Sequence, residues 1–231
     1  MNHCAKIKLT GVNYRTSVFS SVGGRHANLE VEAPQRTGLE AFNREVLDPP
    51  SDLYHVHVPI PATNAQLFTY EQGSHVNVEG HLRPACWKVS HGYGVDMHVH
   101  AKTVTKLTDN QHKRTPMSYA EVAIVGNAGS NGEHKQLQDG TDFVSVSLAV
   151  NQRSRGDDGE WRTTRTDWYK IAYWTENAIA IAQRIKKGNM IFVTGRLKPS
   201  AYIDDDGKVN ASLDVNARVL QLMTPKEEPS R

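Results

Sequence analysis

The sequence predicts an all-β protein made of two tandem copies of one small barrel. Three observations carry that expectation: an internal repeat, short runs of alternating apolar and polar residues, and one clear helical segment after the third strand of the second copy. The repeat is plainest between Gly73-Ser-His-Val-Asn-Val-Glu-Gly-His-Leu-Arg-Pro84 and Gly188-Asn-Met-Ile-Phe-Val-Thr-Gly-Arg-Leu-Lys-Pro199. Each has a Gly, alternating apolar residues, then Gly-basic-Leu-basic-Pro, with His81 as a partial cation. The offset of 115 positions recurs between Asp52-Leu-Tyr-His-Val56 and Asp167-Trp-Tyr-Lys-Ile171, and it sets Trp87 opposite Tyr202 and Leu107 opposite Leu222. An offset held over so long a stretch marks a duplicated domain. The expected organisation is an N-terminal domain at 1–109, a linker at 110–116, a second domain at 117–223 and a short polar tail at 224–231. The junction, Thr108-Asp-Asn-Gln-His-Lys-Arg-Thr-Pro116, is polar and ends in proline, as linkers do.

The strands of the second copy follow in order. Tyr119–Gly126 is an apolar run closed by Gly-Asn. Phe143–Val150 alternates Phe, Val, Val, Leu and Val with small or polar residues. Trp168–Trp174, Met190–Leu197 and Ser212–Leu222 complete the set. Period-2 alternation over runs this short is the pattern of half-buried strands. Asn131-Gly132, Asp157-Asp-Gly159 and Asp204-Asp-Asp-Gly207 supply turn chemistry. Thr175–Gly188 breaks the pattern, with a Thr N-cap, acid in its first turn, cations in its last and Gly after it. Ala178, Ile181, Ala182 and Ile185 form its apolar stripe. Three strands, a helix and two strands is the order of the OB-fold, a five-stranded Greek-key barrel with a helix between strands three and four. The first copy has the same layout, with a shorter helix expected at Thr63–Gln72.

Composition narrows the function classes. The 231 residues are 38% hydrophobic and 23% charged, which is ordinary for a folded chain. A formal net charge of +2 is no nucleic-acid footprint by itself, but Arg153, Arg155, Arg162, Arg165 and Lys170 cluster. Such a run also suits a solvated, salt-bridged face. Cys4 and Cys86 form no disulfide framework, and no signal peptide or membrane span is evident, so a cytoplasmic location is expected. No Walker loop, GxSxG, HExxH or CxxC motif is present, so an enzyme is not expected. His55-Val-His57 and His98-Val-His100 each place two histidines on one strand face. No acid or cysteine set completes either pair as a metal site, and no cofactor is expected.

The second copy resembles the bacterial-type single-stranded-DNA-binding (SSB) family. Phe143–Asn151 is similar to that family's second strand, and Thr166-Asp-Trp-Tyr-Lys-Ile-Ala-Tyr-Trp174 to its third. Lys187-Gly-Asn-Met-Ile-Phe-Val-Thr-Gly-Arg-Leu197 is similar to its Lys-Gly-Ser-x-Val-x-Val-x-Gly-x-Leu pattern. Asp206-Gly-Lys208 and Val219–Met223 fit as well. The first copy matches through its similarity to the second. The resemblance implies sequence-independent binding of single strands by stacking bases on aromatic rings, here Trp168, Trp174 and Tyr202. A further family aromatic falls near Ser154 and is missing; Trp161 in the same hairpin is the expected replacement.

The first copy carries Leu53 and Pro59 where the second has Trp168 and Trp174, but keeps Trp87, Tyr54 and Tyr70. Its strand-binding surface is expected to be weaker or different. The family's chains typically end in an acidic, Phe-terminated tip, whereas this sequence ends Lys226-Glu-Glu-Pro-Ser-Arg231, so recruitment through such a tip is not expected. The family's two-barrel members imply a homodimer with four barrels. A strand-binding site is thus expected from Trp168, Trp174, Tyr202, Trp161 and Trp87, bordered by Arg153, Arg155, Arg162, Arg165, Lys170 and Lys198. Bases stack on the rings at about 1–3 kcal/mol each while cations follow the phosphates. The competing reading for each ring is core packing. Coating of single strands in replication, recombination or repair is the leading expectation, in association with the nucleoid. A primosome- or recombination-accessory role through protein contacts is the alternative, and RNA as ligand stays open.

Overall fold

Apolar–polar alternation is translated into long strands. The computed structural model describes residues 4–21, 24–34, 51–60, 70–108, 119–156 and 158–223. The expected linker at 110–116 and tail at 224–231 lie outside these, as does most of the Thr63–Gln72 segment. The chain is nearly all strand, with one short helix among the described residues. No helix there is long and apolar enough to cross a membrane. Two compact units form: one of Lys6–Glu121 with Pro199–Ala211, the other of Met1–Ala5, Val122–Lys198 and Ser212–Arg231.

The N-terminal half contains β1 (Cys4–Ser21), β2 (Gly24–Pro34), β3 (Ser51–Ile60), β4 (His75–Val89) and β5 (Gly92–Lys106). β1 pairs antiparallel with β2 and β4, β2 with β3, and β4 with β5. β3 and β5 run parallel, Tyr54 opposite Met97 and His57 opposite His100. The pairings close a circuit β1-β2-β3-β5-β4-β1. Every second side chain turns inward, which buries Ile7, Leu9, Leu29, Val31, Val56, Val78, Leu82 and Val99.

The C-terminal half repeats the circuit with β6 (Tyr119–Ala128), β8 (Asp142–Arg155), β9 (Trp161–Trp174), β10 (Met190–Ile203) and β11 (Val209–Leu222). A short extra strand, β7 (Glu133–Gln136), pairs with β8 and was not expected from the sequence. β6 pairs with β8, β8 with β9, and β9 runs parallel to β11, Tyr169 opposite Leu213. β10 lies between β11 and β6 and completes the ring. Val122, Ile124, Val146, Leu148, Ile171, Ile191 and Val215 fill it.

Matched contacts recur at the repeat offset. Gly73 N–H donates to the Asn13 carbonyl (2.9 Å) and Asn13 N–H to that of Ser74 (2.8 Å). In the other half Gly188 N–H donates to the Ala128 carbonyl (2.7 Å) and Ala128 N–H to that of Asn189 (2.8 Å). Gly73 and Gly188 both need positive φ, 85° and 89°, which a Cβ would strain. Tyr54 and Tyr169 are both fully buried, and neither hydroxyl has a hydrogen-bond partner among the described residues.

The helix is shorter than expected, spanning Ala178–Arg184 instead of Thr175–Gly188. Thr175 caps a preceding turn: its Oγ1 accepts from Asn177 N–H (3.2 Å), so Glu176 precedes the first helical turn. At the other end loop contacts claim the backbone. Gly132 N–H donates to the Ile185 carbonyl (3.0 Å), and Lys187 N–H to Asn131 Oδ1 (3.0 Å). Ala178, Ala182 and Ile185 nevertheless turn inward, and the helix packs on β7 and β8.

Candidate nucleic-acid interface

The outward face of β9 carries the strip on which the sequence concentrated. Tyr169 and Ile171 point into the core, so Trp168, Lys170, Ala172 and Trp174 share the opposite face. Trp168 is 53% exposed and Trp174 40%, although both are large apolar rings. Core packing, the competing reading for these two, does not describe them. Their cross-strand neighbours on β8 are small where it matters: Ala149 faces Trp168, and Ser147 faces Lys170. Gly129 lies against the indole of Trp168, and a Cβ on Gly129 would collide with that ring. Trp174 leans on Phe143, ring centres 4.6 Å apart at 36°. The two indoles are thus held from one side and open on the other, which is what a stacking platform needs.

The cations divide. Arg165 Nε sits 2.8 Å from Asp167 Oδ1, and its Nη2 donates to Oδ2 (3.2 Å). Asp167 is 5% exposed and also accepts from Gln152 Nε2 (3.1 Å). Arg165 therefore satisfies a buried carboxylate. Arg162 pairs with Asp158 and Arg155 Nε donates to the Gly159 carbonyl (2.9 Å), both within the β8–β9 hairpin end. Arg153 Nη2 donates weakly to the Trp161 carbonyl (3.4 Å). Lys170 and Lys198 are exposed. Trp161 is 57% exposed at the start of β9, opposite Arg155 and one residue from the partner of Ser154.

Tyr202 and Trp87 are also exposed, but they belong to the unit that holds Lys6–Glu121 and Pro199–Ala211. Within that unit Lys88 Nζ donates to the Gly207 carbonyl (2.9 Å) and Trp87 Nε1 to Asp96 Oδ1 (2.9 Å). Sequence reasoning kept Tyr54 and Tyr70 as first-copy aromatics. Tyr54 is buried and offers no open ring, while the half-buried Tyr70 donates its hydroxyl to the Val104 carbonyl (3.1 Å). Leu53 and Pro59, at the positions of Trp168 and Trp174, are exposed.

The two His-x-His pairs are separate in the sequence. The parallel register of β3 and β5 brings them together, His55 beside His98 and His57 beside His100. No group of three or more metal-ligating side chains is gathered to hold an ion among the described residues.

Comparison with known proteins places the chain. Residues 119–223 match the Single-strand binding protein family. The Single-stranded DNA-binding protein 1 of Nostoc sp. is 30% identical over 113 residues, which is 48% of this chain and 89% of that protein. The protein of the same name from Xylella fastidiosa is 25% identical over 114 residues, 49% of this chain and 84% of that protein. For the Single-stranded DNA-binding protein of Xanthomonas axonopodis, 28% identical, the chain spans 59% of the relative's length. The fold of the whole chain is like that of the wild-type single-stranded DNA binding protein from Thermus aquaticus, with a TM-score of 0.61, 20% identity, and 100% and 98% of the two chains covered. By its sequence the chain belongs to the single-strand binding protein family.

Proposed function

We propose that this chain binds single-stranded DNA without regard to sequence, from two OB barrels, and protects it during replication, recombination or repair. It acts as a binding protein and not as an enzyme. The observation that carries the reading is the strip Trp168-Lys170-Ala172-Trp174: two supported, half-open indoles with a cation between them on a small-residue sheet face. Base faces stack on such rings whatever their identity, and Lys170 and Lys198 meet the phosphates. Two closed five-strand circuits of the same order support one OB barrel in each half. A homodimer would present four barrels to one strand, in the cytoplasm at the nucleoid. Leu53 and Pro59 in place of the two tryptophans favour a second reading, an accessory role through protein contacts.

The test is a titration with oligo(dT) at low and high salt, followed by tryptophan fluorescence, on the full chain and on Trp168→Ala/Trp174→Ala. Quenched, salt-sensitive binding is expected. Losing two stacked bases at about 1–3 kcal/mol each weakens it by roughly 30-fold or more. Equal affinity of the double variant would refute the assignment. Absence of binding would move the accessory reading to first place.

A further inference from the structure

The outward face of the N-terminal circuit carries a cluster that the proposed function does not use. Two rungs cross it. One runs Arg83 (β4), His98 (β5), His55 (β3), Glu30 (β2), Arg15 (β1); the next runs His81, His100, His57, Asn28, Ser17. His55, His98, His57 and His100 overlap in sequence across the two strands. Ring centres are 5.2 Å apart for His55–His98, 5.1 Å for His57–His98 and 5.3 Å for His57–His100. A cavity of about 160 Å³ opens here, lined by Arg15, Ser17, Asn28, Glu30, His55, His57 and His98.

The rungs occupy the positions of the β9 strip. At the repeat offset His55 stands where Lys170 stands, and His57 where Ala172 stands, between Leu53 and Pro59 in place of the two tryptophans. We propose that this histidine ladder is a proton-controlled site for the phosphate backbone of a single strand, engaged when its imidazoles take up protons. The proposal rests on the single-strand-binding reading.

The hydrogen bonds show how a proton enters. His57 Nδ1 lies 2.7 Å from Asn28 Oδ1, and His57 Nε2 lies 2.8 Å from His98 Nδ1. With His57 Nδ1–H donating to Asn28, Nε2 accepts from His98 Nδ1–H, and His98 Nε2 is left with a lone pair. One added proton at His98 Nε2 breaks none of these bonds. A second, on His57, would set N–H against N–H, so the ladder charges in steps.

Without a ligand, two members of the ladder, His98 and His100, are held toward the neutral form. Burial, and next the neighbouring His55, hold His98 below the usual imidazole range, against a smaller upward pull from Asp96. Burial, then Arg83, His98 and His81, do the same for His100. The charged and titratable groups facing the ladder are Arg15 on β1, Glu30 and Glu32 on β2, His81 and Arg83 on β4, and Asp96 on β5. A phosphate set among the imidazoles reverses the repulsion and raises their pKa values. Bound pKa values above free ones mean that binding takes up protons. Affinity therefore climbs as pH falls through the bound-state pKa, and levels off below the free one. Arg15 and Arg83 at the two ends of the first rung give the backbone fixed charges to meet at any pH.

The test is oligo(dT) affinity of the full chain from pH 8 to 5.5 at constant ionic strength, for wild type, His57→Gln/His98→Gln and His55→Gln/His100→Gln. A control, His134→Gln, alters a histidine of the other unit. Circular dichroism establishes that each variant is folded. Wild-type affinity should rise with acidity by up to about tenfold per pH unit for each linked proton. His57→Gln/His98→Gln should flatten the profile, His55→Gln/His100→Gln should reduce its slope, and His134→Gln should leave it. Calorimetry at pH 6.5 in two buffers of different ionisation enthalpy should show proton uptake by wild type and not by His57→Gln/His98→Gln. A pH-independent wild type, or a ladder variant that keeps the full slope, overturns the site and leaves single-strand binding intact. Absence of binding at every pH overturns both.

Discussion

Replacing Arg165 by Ala separates a cation that holds the barrel together from one that holds DNA. The guanidinium makes two contacts to Asp167, 2.8 and 3.2 Å, and the carboxylate is 5% exposed. Once it is removed, Gln152 Nε2 at 3.1 Å remains as a side-chain donor. Breaking a fully buried pair costs about 3–5 kcal/mol. Arg165 is 43% exposed, so water replaces part of what it gave. The expected loss is therefore about 1–2 kcal/mol. Urea unfolding followed by circular dichroism should show a lower midpoint at unchanged slope, because the surface exposed on unfolding is the same. The dependence of oligo(dT) affinity on salt should not change, since no phosphate contact is lost. Lys198→Ala should do the reverse, with stability kept and a salt slope lower by about 0.7 for a single strand. An unchanged urea midpoint for Arg165→Ala, together with a smaller salt slope, would refute the assignment and return Arg165 to the strand path.

Tyr169→Phe removes a buried hydroxyl that has no partner among the described residues, and should raise stability by about 1 kcal/mol; a loss would show that the hydroxyl is bonded. Burial holds the phenols of Tyr169 and Tyr54 well above their usual range. Their contribution to stability is present below the unfolded value of about 10 and lost as pH rises beyond it, so absorbance at alkaline pH should show both ionising only with unfolding. Gly188→Ala forces a Cβ onto a φ of 89° and should cost about 1 kcal/mol in the urea midpoint, with Gly73→Ala a matching test in the other half. Asp204 Oδ1 accepts from the Lys208 N–H at 2.8 Å, and that bond holds its carboxyl below the usual 3.8. Its help to the β10–β11 turn is present above that ordinary value and lost as pH falls through the lower folded one. Asp204→Ala should therefore lower the melting temperature at pH 7, and by less as the pH falls through the lowered folded range.

The strands were legible because alternation is a local property, and the repeat because duplication keeps register. Trp168 and Trp174 were picked out through the family resemblance, and their spacing of six on one strand puts them on a shared outward face. The limits have physical causes. β8 and β9 run on to Arg155 and from Trp161, past the alternating core, since polar residues pair as well as apolar ones in a solvated hairpin. Thr175 reads as a helix cap but caps a preceding turn, and the other end of the helix is set by contacts with Asn131 and Gly132, far away in sequence. Arg165 stands two residues from Asp167, yet nothing local shows that the acid is buried. The histidine ladder needs the pairing of two strands some forty residues apart, and a pair of His-x-His motifs states only half of that.

The parallel pairing that closes each circuit also dictates an order of events at the ribosome. Tyr169 meets Leu213 only when β11 has been made, and until then β9 shows an unpaired edge. The half cannot close from its first strands, because its last one seals it against its third. Contacts this distant in sequence make folding slow, and a nascent chain halted after β10 would display a ready template for another chain's strand. The N-terminal half, whose closing strand β5 ends at Lys106, has its full complement of strands before β8 or β9 exists. Synthesis thus sets up one seam at a time, and the exposed interval of each is the time taken to translate from its third strand to its fifth.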